Sequence, residues 1–237
     1  MLDTKLIFIE GLPGLGKTTT SVWLAKRLIL RGFRVNFLEE SQPQHPLNVG
    51  GDLHPACSTP GEVLFQRYTP DSYIQESLER WQAAVPVALQ SEAINVLDSY
   101  PFQNSVRILL QMDAPIDVIR EYFKQVESFT TPLHPVLIYY DQPDTTYAKD
   151  HFTQIAARRG SAWTEYATAL VLRCPYAGNR HLQDFEGVLT FLADYKNLID
   201  ILLEQSRIPR IILDHGFDDW AEFYRQIEDF LGLPLTG

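Results

Sequence analysis

The chain is poor in cysteine and has no block of positive charge. Only Cys57 and Cys174 occur among its 237 residues, with no C-x-x-C pair and no Cys/His cluster. That argues against a structural zinc and fits a reducing cytoplasm. Twenty Lys and Arg stand against thirty Asp and Glu, a net charge of −10, so a nucleic-acid partner is not expected. A small anionic substrate would need local positive charge that this average conceals. No apolar run approaches transmembrane length, so no membrane partner is expected either. The run beginning at Leu6 is too short for a signal segment and passes straight into a glycine-rich loop. Internal repeats and low-complexity tracts are also missing. With 45% apolar residues the chain can bury a sizeable core, most simply as one domain over residues 1–237.

What is present is concentrated near the start. Leu6–Ile7–Phe8–Ile9, closed by Glu10, has strand character and runs into Gly11–Leu12–Pro13–Gly14–Leu15–Gly16–Lys17–Thr18–Thr19. Every fixed position of G-x-x-x-x-G-K-[ST] is filled, in the strand–loop–helix context that this Walker A pattern requires. Glycines let the backbone turn tightly enough to aim successive N–H groups at phosphate oxygens, and the following helix adds its positive end. Lys17 is expected to reach the β- and γ-phosphates of a nucleotide such as ATP, and the Thr18 hydroxyl to ligate Mg²⁺. The plainer alternative is a glycine-rich turn that binds nothing.

Further along, a helix is predicted from Gly16–Thr18 to Arg31, with Val22, Ala25, Leu28 and Ile29 on one face and Gly32 after its end. Arg34–Leu38 reads as a second strand ending in Glu39–Glu40, which completes a βαβ unit. Residues 42–69, rich in proline and glycine, are expected to break any regular element; a stretch of this kind is usually functional or mobile. Helical character returns from Asp71 and is expected to break near Pro86. Ala93–Leu97 followed by Asp98 reads as a third strand. A helix is predicted over Ile116–Val126, a fourth strand over Pro135–Tyr140 and a helix from Asp144 through Arg159. Asn179 falls in a loop, a long helix spans Leu182–Gln205, Arg210–Leu213 is the fifth strand and Asp218–Leu231 the last helix. Five strands separated by helices predict a three-layer α/β sandwich on a parallel sheet.

Ligands of such sheets bind at the carboxyl ends of the strands. Those ends carry Glu10, Glu39 and Glu40, Asp98, Asp141 and Asp214. Asp98, ending an apolar strand beside the loop, suits a Mg²⁺ ligand, direct or through water. Glu39 or Glu40 is placed to orient and deprotonate a hydroxyl acceptor. Asp141 and Asp214 read more simply as helix caps. Arg158 and Arg159 are candidates to cover a transferring phosphate, with solvated helix-end charges as the alternative. Arg107 and Arg180 have weaker positional support. Tyr68, Tyr73, Trp81 and Phe102 offer stacking surfaces but fit core packing better.

The run Ile9–Glu10–Gly11 through Thr19 resembles the opening of the thymidylate kinase and deoxynucleoside kinase families. Glu39–Glu40 lies where the latter carry a catalytic carboxylate, and Asp98 where both carry an acid followed by arginine. Ala157–Arg158–Arg159–Gly160 resembles the start of their lid, and Phe191–Leu198 with Ile208–Leu213 their last helix and strand. Ser99 departs from the pattern, so Arg107 would have to replace the missing arginine. The resemblance implies a P-loop fold with strand order 2-3-1-4-5, a substrate or cap insertion over residues 42–92 and a lid-like segment over 158–190. It further implies a cytoplasmic kinase using ATP and Mg²⁺ on a nucleoside- or nucleotide-like small molecule, and it is compatible with a homodimer. A nucleotide-dependent regulatory ATPase acting through a protein partner is the alternative, although no N-K-x-D guanine signature is present.

Overall fold

A computed structural model describes residues 3–42, 44–51, 62–141, 153–155, 157–214 and 219–233. Five parallel strands, β1 (Leu6–Gly11), β2 (Val35–Leu38), β3 (Ile94–Asp98), β4 (Val136–Asp141) and β5 (Arg210–Asp214), form one sheet in the order β2-β3-β1-β4-β5. Register is continuous around the centre: Ile9 lies opposite Asp98 on one side and Ile138 on the other. Strands covered on both faces read as unbroken apolar runs. Leu6–Ile9 and Ile94–Leu97 are such runs, apart from Asn95, and every residue of β1 and β3 is buried. The three-layer expectation holds, with the sheet flanked by helices.

The helices are α1 (Lys17–Leu30), α2 (Glu62–Arg67), α3 (Pro70–Gln90), α4 (Arg107–Gln111), α5 (Ile116–Thr130), α6 (Ser161–Leu172), α7 (Pro175–Asn179), α8 (Asp184–Gln205) and α9 (Trp220–Phe230). A π-helical turn, Phe102–Val106, leads into α4. On α1 the buried positions are Lys17, Thr20, Ser21, Leu24, Ala25 and Leu28. Ile29, expected on that face, is 57% exposed, because one further residue turns a side chain about 100° away from Leu28. At its far end Arg27 and Arg31 both reach Glu228 of α9, tying the last helix to the first.

Three expectations are corrected. The helix after Asp71 does not break near Pro86; α3 starts in a Thr69–Ser72 capping box and runs through Pro86 to Gln90. Proline removes one N–H bond to the carbonyl four residues back, here Gln82. Gln82 and Pro86 both lie on the exposed side, while Tyr73, Ser77, Trp81 and Val85 keep the other side in the core. Asn179 is not in a loop but ends α7, which proline at its first position starts. Residues 161–172, not foreseen as helical, form α6, with Ala167 and Val171 buried. The helix expected from Asp144 and the start at Asp218 lie largely outside the described residues; α9 is capped by Asp219, whose side chain accepts the Glu222 N–H at 3.0 Å.

Candidate functional site

The glycine-rich loop is shaped by two contacts. Gly11 has φ +149°, and a Cβ there would lie 2.8 Å from the Tyr140 carbonyl, so only glycine lets β1 end this close to β4. Gly16 has φ +83°, and its Cα sits against the Trp220 ring. Between them Leu12 and Leu15 are buried and anchor the loop, while Gly14 faces solvent. Gly16 is the N-cap residue of α1, and no side chain caps that helix. An uncapped helix start leaves its first amide donors and its positive dipole end open to an anion. Thr18 and Thr19 are exposed there. Behind them, the Thr20 and Tyr140 hydroxyls share a buried 2.6 Å hydrogen bond that fixes α1 to β4.

Lys17 is 5% exposed, and its ammonium donates to the Leu12 carbonyl at 3.0 Å. Burial pulls it below the ordinary lysine range, and the nearby Arg107 adds to that effect. The carboxylates of Glu40, Glu10 and Asp98 act in the opposite direction. Three strand ends therefore converge on this one amine. At the end of β3, Asp98 is fully buried, accepting the Thr18 hydroxyl at 2.7 Å and the Ser99 hydroxyl at 3.1 Å. Burial raises its pKa, against the hydrogen bond from Thr18 and the charge of Lys17. Ser99 thus orients the acid, and it does so from a left-handed φ of +64°.

Glu10 is the residue the sequence undervalued. It is completely buried; its Oε1 accepts the Phe102 N–H at 2.6 Å and the Gln103 N–H at 3.2 Å, while Oε2 has no partner among the described residues. Burial pushes its pKa up to about 8, with Lys17 pulling the other way.

Beyond β2, the two glutamates separate. Glu39 is exposed, and its side chain accepts the Ser41 hydroxyl at 3.2 Å. Glu40 is half-buried, and its Oε2 accepts the side-chain amides of Gln103 at 2.6 Å and Asn104 at 3.2 Å. Gln103, Asn104 and Arg107 were not in the motif reading, or were only weakly so. The signal that would have found them is their place in the first turns after Asp98, with Gln103 and Arg107 four residues apart.

Other expected residues are committed elsewhere. Asp141 pairs with Lys196 at 3.0 Å, and Arg180 pairs with Asp113 at 2.6 Å while lying over the Tyr176 ring. Asp214 is exposed. Arg158 and Arg159 are exposed at the end of a helical segment, residues 157–159, that Gly160 follows as expected. Tyr73, Trp81 and Phe102 are core residues, whereas Tyr68 is half-buried and bonds Glu76 at 2.7 Å. Among the described residues of the 42–69 stretch, His45 stacks on Tyr100 at 4.7 Å, and burial lowers its pKa to about 4. Cys57 and His54 lie outside the described residues.

No protein-family model matches the chain, and no curated protein matches it.

Proposed function

We propose that this chain is an ATP-dependent phosphotransferase that moves the γ-phosphate to a small hydroxyl- or phosphate-bearing acceptor of nucleoside or nucleotide type. One observation carries the reading. Lys17, at an uncapped helix start, is acted on at once by Asp98 at the end of β3 and Glu40 just beyond β2. A turn that bound nothing would have no use for a buried amine facing carboxylates from separate strand ends.

The residues present fit the groups such a reaction needs. The loop amides of Gly11 to Thr19 and the Lys17 ammonium offer donors for a triphosphate. Thr18 and Asp98, with their oxygens in contact, would hold Mg²⁺, which usually keeps waters and phosphate oxygens as its other ligands. Among the described residues there is no cluster of three metal-binding side chains, which suits a cation held largely by its nucleotide. Bound there, ATP and Mg²⁺ would supply the phosphoryl group and neutralise charge on its oxygens.

The protein's own part is positioning and electrostatics. Glu40, held by two side-chain amides, would accept a hydrogen bond from the attacking hydroxyl and take its proton. Ser99 keeps Asp98 turned toward Thr18. Arg158 or Arg159, both exposed, would cover the transferring group.

The test is ADP release from ATP with and without a panel of nucleosides, nucleotides and sugars. Acceptor-stimulated release that Lys17→Ala abolishes while the far-UV spectrum stays native is the expected result. Turnover retained in that variant sinks the proposal. Slow hydrolysis indifferent to every acceptor and changed only by a protein partner would point to the regulatory ATPase instead.

A further inference from the structure

We propose that Arg107 reads a fixed negative charge on the acceptor, so that the second substrate carries a phosphate or carboxylate group besides the one that reacts. The inference rests on the phosphotransfer reading above and names the class of molecule that reading leaves open.

Arg107 is 6% exposed, yet among the described residues it has no carboxylate partner. Among the described residues its side chain's one hydrogen bond runs from Nε to the Gln103 carbonyl at 3.0 Å. Buried guanidinium groups are ordinarily paired, because an isolated charge out of water is costly. The arginines at positions 27, 80, 120, 180 and 225 all have carboxylate partners although they are more exposed. Arg107 is a mostly buried cation whose planar fork is paired to no carboxylate among the described residues, and that fork has the geometry that matches carboxylate and phosphate oxygens in pairs.

A second observation marks the same place. Three buried polar atoms have no partner among the described residues: Gln103 Oε1, on the residue whose carbonyl Arg107 bonds, the Tyr195 hydroxyl, and Glu10 Oε2, whose Oε1 takes the Gln103 N–H. Tyr195 is close enough to feel the charges of Glu10, Arg107 and Glu40, and Lys17 feels those of Arg107, Glu10 and Glu40. Unpartnered buried polar groups are rare and call for an occupant. Here they stand around two cations and a hydroxyl-binding carboxylate. A neutral acceptor would satisfy the carboxamide and the phenol but leave the guanidinium alone. An acceptor with an anionic group satisfies the guanidinium as well, and Arg107 with Lys17 is then the local positive charge that the net charge of −10 conceals.

The test measures binding rather than turnover, so it does not depend on the chain using ATP. Melting temperature is followed in millimolar inorganic phosphate or acetate for the whole wild-type chain, Lys17→Ala and Arg107→Met. Phosphate stabilisation that survives in part in each variant, lost from a different site in each, is expected. Loss of the entire effect in Lys17→Ala, with Arg107→Met like wild type, overturns the inference, as does a wild type indifferent to both anions. Matched pairs then separate the sources: nucleoside against its monophosphate, sugar against its phosphate, polyol against its hydroxy acid. The charged member of one pair should bind at least about tenfold tighter, a preference erased in Arg107→Met and partly restored in Arg107→Lys. Equal binding of charged and neutral members, or an Arg107→Met defect confined to ATP affinity, refutes it. Should Arg107→Met not fold, Tyr195→Phe must weaken the charged member while sparing ATP. Failure to bind ATP at all would sink the phosphotransfer reading and leave the anion result standing.

Discussion

Glu10 Oε1 accepts the Phe102 N–H at 2.6 Å, joining the end of β1 to the helical turn that follows β3. The same oxygen takes the Gln103 N–H, and Gln103 in turn holds Glu40. A carboxyl at the centre of the sheet therefore sets the position of the residues that orient the proposed base.

That carboxyl has a pH signature. Its folded pKa is about 8 against an ordinary 4.5. Between those values the native chain holds a proton that the unfolded chain has lost, so stability falls as pH rises through this window and levels off above it. Each such proton is worth about 1.4 kcal/mol per pH unit. Glu10→Gln keeps an acceptor for both amides and removes the titration. Urea unfolding at pH 5, 7 and 9 should show the variant gaining on wild type as pH rises. A gap that stays constant across the series refutes the assignment.

Gly16 and Gly32 separate two reasons for glycine. Both have φ near +85°, but a Cβ at Gly16 would lie 2.3 Å from the Trp220 ring, whereas nothing lies within 4 Å at Gly32. Gly32→Ala should cost about 1–2 kcal/mol from the backbone alone. Gly16→Ala should cost that and roughly 1–3 kcal/mol more from overpacking. In a double-mutant cycle, Trp220→Ala should relieve the excess at Gly16 and leave Gly32→Ala unchanged. Additive costs at Gly16 and Trp220 would contradict the contact.

Thr18 and Asp98 are expected to share one cation. ATP should raise the melting temperature of wild type more with Mg²⁺ than with EDTA, since a ligand that binds only the native state stabilises it. Thr18→Ala and Asp98→Asn should each shrink that Mg²⁺-dependent increment, and Thr18→Ser should keep it. An increment unchanged in Thr18→Ala counts against the site.

Lys196 distinguishes a structural acid from a catalytic one. Its ammonium bridges Asp141 at 3.0 Å and Asp200 at 2.6 Å, with Lys196 largely buried. Lys196→Met should cost about 1–3 kcal/mol, between exposed and buried ion pairs. ADP release at a temperature where the variant is folded should match wild type. A turnover defect without a loss of stability would move Asp141 into the site.

The amino-acid sequence by itself determined the fold class, the five strands and the loop from Gly11 to Thr19. Apolar runs bounded by glycine, proline and acids are local signals, and the phosphate-loop spacing lies within a few consecutive residues. Helix α3 was legible only in part, because proline is a local breaker, whereas the packing of Trp81 and Val85 that carries the helix through Pro86 is not local. Of the site, Lys17, Thr18 and Asp98 could be read from position along the chain. Tertiary structure alone decided between Glu39 and Glu40, since one backbone step sends the first into water and the second onto Gln103 and Asn104. It also decided that Asp141 and Arg180 are spent on ion pairs, and that Glu10 and Arg107 are buried beside Lys17. Burial and the presence or absence of a partner depend on elements distant in sequence, and those two quantities give a buried carboxyl or guanidinium its chemistry.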